Sequence, residues 1–125
     1  MAGLFITATD TGVGKTHIGC ALVRALCQLG LPVEVLKPTE SGCLSDESGQ
    51  LRPADALALQ QAAGNRQPLE TICRHRFTAP LAPPEAARHE GRQLELRDLI
   101  DACRPVLDRG AFTLVEGAGG LYSPI

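Results

Sequence analysis

The residues of this chain that could do chemistry begin with Gly14, Lys15 and Thr16. An apolar segment precedes this triplet, and a helical pattern begins at Lys15. Unpaired backbone N–H groups at a helix N-terminus face an anion, and the helix dipole favours negative charge there. Lys15 could reach the β- and γ-phosphates of a nucleotide, and the Thr16 hydroxyl could ligate Mg²⁺. The triplet therefore predicts a phosphate-binding loop.

The match to the strict loop pattern G-x-x-x-x-G-K-[ST] is incomplete, because Thr9 stands at its first position. The alternative interpretation is a glycine-rich turn that happens to end in a lysine and a threonine. The flanking strand and helix are those that the motif requires, so the phosphate loop is the favoured interpretation.

A second lysine, Lys37, follows the second apolar segment of the chain. The first residues after a strand of a parallel sheet emerge at its carboxyl edge, where ligands bind. A lysine at that edge could neutralise charge on a transferring phosphoryl group. The alternative is a solvated lysine in a turn, and position and residue type alone leave both interpretations open.

Two carboxylates complete a candidate magnesium site. Glu116 ends an apolar run, where an ionised carboxylate is costly unless it is paired or bound to a metal. Small residues follow it and leave room for a ligand. Asp55 lies in the first turn of a predicted helix, a place that is also favourable for an acid without any function. Magnesium is usually held by one or two carboxylates plus phosphates, so Thr16, Asp55 and Glu116 would suffice.

The histidines and cysteines show no spacing typical of a metal site or a catalytic triad. We expect His17 on a helix surface near the phosphates, and His75, His89 and the arginines between Arg74 and Arg109 on solvated faces. The cysteine count is odd, and the positions are scattered, which is typical of reduced thiols in a cytoplasmic protein. They are Cys20, Cys27, Cys43, Cys73 and Cys103.

The elements that must position these residues alternate between strands and helices. Strands are predicted at residues 3–9, 33–36 and 111–115, with a further candidate at 72–78. Helices are predicted from Lys15 to a stop at Gly30, at 54–63 and at 95–107. This alternation predicts an α/β fold with a parallel sheet flanked by helices, as in the P-loop NTPases.

Details of the elements also follow from the pattern. Residues 37–53 are predicted to form an exposed loop. Pro80, Pro83 and Pro84 should break regular structure, and Pro105 should end or kink its helix. The apolar face predicted for the first helix comprises Ile18, Ala21, Leu22, Ala25, Leu26 and Leu29.

Composition excludes several classes of function. The 125 residues carry a net charge of −2 and only 3% aromatic residues, which is unlike a nucleic-acid or anionic-membrane binder. No apolar stretch approaches the ~20 residues of a membrane span. The N-terminus does not resemble a signal peptide, and we expect a cytoplasmic protein.

Four boxes together resemble the dethiobiotin synthetase family. The family's G-T-D-T-x-V-G-K-T is matched by A-T-D-T-G-V-G-K-T at residues 8–16, and its K-P-x-x-S-G by K-P-T-E-S-G at 37–42. Its D-A-L-A-L helix start is matched at 55–59, and its V-E-G-A-G-G loop at 115–120. The similarity covers essentially the whole chain, with the boxes in family order and spacing.

The resemblance implies a reaction in biotin biosynthesis. CO₂ is taken up on one amine of 7,8-diaminononanoate as a carbamate, Mg·ATP phosphorylates it, and the second amine closes a ureido ring. The resemblance places Lys15 and Lys37 at the phosphoryl group, Thr11 and Ser41 near the substrate, and the metal on Thr16 and the two carboxylates. Further nucleotide contacts are implied for Gly12, Val13, Gly14, His17, Gly117, Ala118 and Gly119. Family members are homodimers with the diamine near the subunit interface.

The chain departs from the family in two respects. Ala8 replaces the family's glycine at the start of the loop, which disfavours a positive φ there. The family is also nearly twice as long, so we expect an incomplete sheet, formed by the N-terminal half of an ATP-binding domain over residues 1–125. Strand 111–115 would then have an open edge and an uncovered face, unless another chain completes the sheet.

Three alternatives remain. One is another P-loop amidoligase of the cobyrinic acid amide synthase group, against which the Lys37 box and the Asp55 helix argue. Another is a ParA-like ATPase, which typically carries an extra lysine early in the loop, whereas residues 9–13 contain none. The third is an inactive fragment.

Overall fold

Three short strands form the main sheet of the computed structural model, which describes residues 3–7 and 14–118. They are β1 (Gly3–Ile6), β2 (Val33–Leu36) and β7 (Phe112–Glu116), all mutually parallel, in the order β1-β7-β2. The predicted parallel α/β sheet is confirmed. The open edge expected for the last strand is wrong, because β7 pairs with β1 on one side and β2 on the other.

Helices cover the sheet from both faces. Helices α1 (Lys15–Gln28) and α2 (Ala54–Ala62) share one buried cluster with Val35 and Leu114 of the sheet. Helix α5 (Leu96–Leu107) borders a groove that Val115 lines, and successive strand residues point to opposite faces. The first helix begins at Lys15 as predicted. Helix α5 includes Pro105 and continues to Leu107, the last residue predicted for it, so this proline does not end the helix.

The buried face of α1 differs from the predicted one. Gly19, Cys20 and Val23 are buried, whereas Ile18 is 52% exposed and Leu29 is 82% exposed. A methyl group on Gly19 would lie 3.4 Å from side-chain atoms of both Ile6 and Leu59, so this small residue permits close packing. Both sides of the helix are apolar, and the close approach at Gly19 selects the side that faces the core.

The segment between β2 and α2 is more structured than the predicted loop. Strand β3 (Thr39–Glu40) pairs in parallel with β6 (His75–Arg76), and β4 (Leu44–Ser45) pairs with β5 (Leu51–Arg52) as a hairpin. The hairpin turn is held by Asp46, whose Oδ1 accepts hydrogen bonds from the N–H groups of Ser48 and Gln50. Short pairings of this kind leave little trace in hydrophobic periodicity.

Two further short helices occupy regions predicted otherwise. Helix α3 (Leu69–Ile72) ends where a strand was predicted to begin, and only His75–Arg76 of that segment is extended. Helix α4 (Pro83–His89) forms where the prolines were expected to prevent regular structure. Its two prolines occupy the first helical positions, where a missing N–H costs nothing.

A glutamine side chain occupies the free edge of β2. The Val35 N–H donates to Gln67 Oε1 at 3.0 Å, and Gln67 Nε2 donates to the Val35 carbonyl at 2.9 Å. Gln67 is buried, and it therefore satisfies two backbone groups that a neighbouring strand would otherwise pair.

The opposite end of the sheet is less covered. Phe5 on β1 is 64% exposed, and it borders the apolar groove with Leu96 and Ile100 of α5, both also exposed. The sheet is therefore partly uncovered at β1, whereas the uncovered face was expected for strand 111–115, which has helices on both faces. Within the described ranges, no helix combines the length and apolar character needed to cross a membrane.

Replacing Gln67 with alanine should destabilise the fold. The variant leaves the Val35 N–H and C=O without partners, and we expect the free energy of unfolding to fall by about 2–4 kcal/mol. Urea denaturation of the full-length protein measures this change. The control is Gln61→Ala, at an exposed position of α2, which should stay within about 0.5 kcal/mol of the parent. A loss of similar size in both variants would contradict the edge-pairing role.

Candidate functional site

Both lysines of the chain lie at one site. Lys15 begins α1, and Lys37 directly follows β2, so the parallel topology brings both to the carboxyl edge of the sheet. Glu116 ends β7 between them. The predicted convergence of these residues at one edge is what the structure shows.

Glu116 is the centre of this arrangement. Its carboxylate is fully buried. Its Oε2 accepts a hydrogen bond from Thr16 Oγ1 at 2.8 Å and another from Lys37 Nζ at 3.0 Å. Lys37 is also buried, and its ammonium donates to the Gly117 carbonyl at 3.3 Å. Two buried opposite charges compensate each other only when such hydrogen bonds accompany them. The contact therefore explains how an ionised carboxylate is tolerated at the end of an apolar strand.

Asp55 approaches the same ammonium from α2. Its Oδ2 lies 3.9 Å from Lys37 Nζ, and its side chain is 47% exposed, in contrast to that of Glu116. The two carboxylates therefore flank one lysine, one from the buried side and one from the solvent side. An acid in the first turn of a helix is also favoured by the helix dipole, but the position of Lys37 gives Asp55 a local partner as well.

A glycine in a left-handed conformation precedes the first residue of α1. Gly14 has a left-handed φ of 90°, which disfavours any residue with a side chain, and its carbonyl accepts from the Ile18 N–H. Burial lowers the pKa of Lys15 from its usual value, and the charge of Lys37 lowers it further. The two positive charges therefore act on each other, and such a pair favours an anionic partner.

Beside these charges lies a cavity of about 300 Å³. Ser41 lines it, and the buried Ser41 Oγ has no hydrogen-bond partner within the described part of the chain. Part of its lining is polar and includes Lys37, Glu40 and Asp55, and another part is formed by residues 80–83, which are apolar. The cavity can therefore hold a ligand that is charged at one end and aliphatic along its length.

The structure describes only some of the remaining predicted site residues. His17 is exposed on α1, as expected. Gly117 and Ala118 follow β7 at the site, and Ala118 lines the cavity. Thr11, Gly12, Val13, Gly119 and the substituted Ala8 lie outside the described residues.

Sequence reasoning missed one residue of the site. No role was predicted for Glu40 in the box at residues 37–42, yet it is buried and lines the cavity. A lone glutamate in a segment predicted to be an exposed loop offers no signal of burial. Its sequence position could have indicated a role, because Glu40 lies three residues after Lys37 and directly before Ser41, two predicted site residues.

Other expectations for charged and sulfur-containing residues are partly corrected. His75 is half-buried, with Nε2 3.3 Å from the Asp98 carbonyl, so it does not lie on a solvated face. Arg92 is exposed as expected, and it also stacks 4.6 Å over the Phe77 ring. All five cysteines are free thiols, as predicted. Burial raises the pKa of Cys73 to about 12, so this thiol stays protonated.

The residues present fit a magnesium ion bound together with phosphates. Glu116 Oε1 is buried and has no hydrogen-bond partner among residues 3–7 and 14–118, which leaves one carboxylate oxygen for a further ligand. These same ranges contain no cluster of three or more His, Cys, Asp or Glu side chains suited to a metal. Magnesium does not need one, because it usually keeps waters and binds through one or two carboxylates plus phosphate oxygens.

Comparison with known proteins places the chain in a family. Residues 2–125 match the family model described as an AAA domain. The chain belongs to this AAA domain family. Over its whole length it is also 50% identical to a protein of Anaeromyxobacter dehalogenans strain 2CP-C and 43% identical to one of Rhodopirellula baltica. Both relatives are named ATP-dependent dethiobiotin synthetase BioD, which confirms the resemblance inferred from the four boxes.

The AAA-domain chain spans about half the length of these relatives. It covers 54% of the Anaeromyxobacter protein and 50% of the Rhodopirellula protein. A synthetase of Caulobacter vibrioides is 42% identical and is covered to 57%. The similarity therefore extends across all four boxes but not across the whole of any of these three proteins.

The buried pair between Lys37 and Glu116 should contribute strongly to stability. Lys37→Met or Glu116→Gln should each lower the free energy of unfolding by about 3–5 kcal/mol, because each leaves the other charge buried and uncompensated. The double variant should lose much less than the sum of the two. Urea denaturation of the full-length variants measures the cycle.

The matched control is the pair between Arg109 and Glu34, at 3.5 Å with the arginine 47% exposed. Arg109→Met should cost less than about 1 kcal/mol. If the stability losses of Lys37→Met and Glu116→Gln sum to that of the double variant within about 0.5 kcal/mol, the two side chains do not act as a pair.

Proposed function

We propose that the protein is an ATP-dependent ligase of biotin biosynthesis, a dethiobiotin synthetase. The observation that carries this proposal is the placement of both lysines, a buried carboxylate and a mixed polar and apolar cavity at one sheet edge. The names of the relatives support the synthetase over an amide synthase or a partitioning ATPase. The resemblance further implies a cytoplasmic homodimer.

The nucleotide end of the site is formed by the start of α1. We propose that Gly14, Lys15 and Thr16 hold the ATP phosphates, because the helix N-terminus and the lysine both favour an anion there. His17 on the same turn is proposed to lie near the nucleotide. Further nucleotide contacts are proposed for the loop residues Gly12, Val13, Gly117, Ala118 and Gly119.

Thr16, Asp55 and Glu116 are proposed to hold Mg²⁺ with the phosphates. Thr16 already shares a hydrogen bond with Glu116, and Asp55 lies on the other side of Lys37. When bound, the metal neutralises charge on phosphoryl oxygens. Glu116 Oε1 has no hydrogen-bond partner among the residues that the structure describes, which supports its part in this set.

The cavity is proposed to bind 7,8-diaminononanoate, the substrate implied by the resemblance. Its aliphatic chain matches the apolar wall at residues 80–83, and its amines can approach the side of the cavity that carries Asp55. Ser41 supports this assignment, because its buried hydroxyl has no hydrogen-bond partner in the described ranges and lines the cavity. A ligand amine or carbamate would give that hydroxyl a partner.

The proposed reaction has three steps. One amine attacks CO₂ and loses a proton, which gives a carbamate. A carbamate oxygen then attacks the γ-phosphorus of ATP and releases ADP. The second amine attacks the carbonyl carbon of this mixed anhydride, phosphate leaves, and the attacking nitrogen loses a proton to solvent, which closes the neutral ureido ring.

Within this reaction, Lys37 is proposed to stabilise the transferring phosphoryl group and the carbamate. Lys37 lines the cavity, and its positive charge lowers the pKa of Lys15 at the start of α1. Lys15 would hold the β- and γ-phosphates, while Thr11 would lie close to the reacting groups. Phosphoryl transfer requires mainly positioning and charge stabilisation, and this set of residues can supply both.

Lys37→Ala should separate catalysis from binding. In the full-length protein, with the diamine, bicarbonate, Mg²⁺ and ATP, we expect ring formation to lose at least ~10²-fold in kcat, as for other lost charge-stabilising donors. Arg97→Ala removes an exposed positive charge from α5 and should leave kcat unchanged. Thermal melts show whether each variant is folded at the assay temperature.

Two results would contradict this assignment. A raised KM with an unchanged kcat would mean that Lys37 only binds substrate. Absence of ring product from the folded parent protein, under conditions in which ATP binds, would refute the proposed function itself.

A further inference from the structure

Helix α2 begins without a capping side chain of its own. Its N-cap position is Pro53, which forms no side-chain hydrogen bond. The first N–H groups of a helix have no intrahelical acceptor, and a side chain or water must usually satisfy them. Asp55, the proposed metal ligand, is the second residue of α2, so its N–H has no acceptor within the helix.

A distant carboxylate supplies the missing acceptors. Glu40 Oε2 accepts from the Asp55 N–H, and Glu40 Oε1 accepts from the Ala56 N–H, each at 3.0 Å. Both oxygens of one side chain therefore hold the first turn of α2. Glu40 is buried, and burial raises the pKa of its carboxyl group, although the two N–H donors oppose that shift.

The segment that carries Glu40 also carries Lys37 and Ser41. It is fixed on both sides of Glu40, since the Lys37 N–H donates to the Ile72 carbonyl and the Phe77 N–H donates to the Glu40 carbonyl, each at 2.9 Å. Because Glu40 ties this segment to the backbone of Asp55, the placement of Asp55 relative to Lys37 depends on it.

We propose that Glu40 is a positioning residue that holds Asp55 in place for metal binding. This inference rests on the proposed function, in which Asp55 is a magnesium ligand. Glu40 does not need to touch the metal or the substrate. It acts through the two N–H groups at the start of α2, and loss of either bond would let the Asp55 carboxylate move relative to Lys37 and Glu116.

A glutamine at position 40 tests this role with little change of shape. Its carbonyl oxygen can accept from one N–H, but its NH₂ group would face the other donor. In the full-length protein with ADP, we expect Glu40→Gln to weaken Mn²⁺ binding by about 10–100-fold, as for other groups that orient metal ligands. Electron paramagnetic resonance of free Mn²⁺ measures the affinity without requiring turnover.

The decisive comparison is made in an Asp55→Asn background. If Glu40 acts through Asp55, Glu40→Gln should weaken Mn²⁺ binding in the parent and have little further effect beside Asp55→Asn. Glu40→Asp, which keeps the charge but shortens the reach, is the second variant and should also weaken binding. The control is Glu90→Gln, because Glu90 likewise accepts from a backbone N–H, that of Thr78, at an exposed place. It should leave Mn²⁺ affinity unchanged.

Three outcomes would overturn the proposal. The first is unchanged Mn²⁺ affinity in both Glu40→Gln and Glu40→Asp. The second is an effect of these variants that persists undiminished beside Asp55→Asn, and the third is an Asp55→Asn variant with unchanged affinity. Failure of the proposed function is distinguishable from these. A protein that binds Mn²⁺ with this coupling but forms no ring product would retain the role of Glu40 and lose the assigned reaction.

Discussion

The buried carboxylate of Glu116 is the constraint on which the site depends. It lies at the end of the central strand with no exposed side-chain surface, so it must be compensated within the protein. Lys37 from the neighbouring strand end and Thr16 from α1 provide that compensation through a single oxygen. The other oxygen is orphaned among the described residues. One ionised group thus joins the start of α1 to the second lysine.

The rest of the fold serves to keep these strand ends in register. Strand β7 pairs on both edges, which fixes Glu116 relative to β1 and β2. Gln67 satisfies Val35 at the outer edge of β2, just before Lys37. Glu40 then ties the following segment to α2. Gln67 and Glu40 each use a polar side chain to hold backbone groups, at Val35 two residues before Lys37 and at Asp55 itself.

The sequence predicted the site better than it predicted the packing around it. Gly14, Lys37 and Glu116 follow or end apolar segments, and the parallel topology alone brings such positions together. The buried face of α1 was predicted wrongly because both its sides are apolar, and only the contact at Gly19 selects one. Glu40 and Gln67 were missed because their partners are backbone groups of distant elements, which no local pattern identifies. The helix at Pro83 was missed because prolines that break a helix interior also begin helices.

The most direct test is a crystal structure of the full-length protein with Mg²⁺, a non-hydrolysable ATP analogue and the diamine. The account predicts the metal on Thr16 and Glu116, with Asp55 bound directly or through a water, and direct metal–oxygen bonds of about 2.0–2.1 Å. It also predicts the diamine in the cavity beside Ser41, with Lys37 facing the γ-phosphate. A structure in which Glu116 contacts only protein groups while the metal lies elsewhere would contradict it.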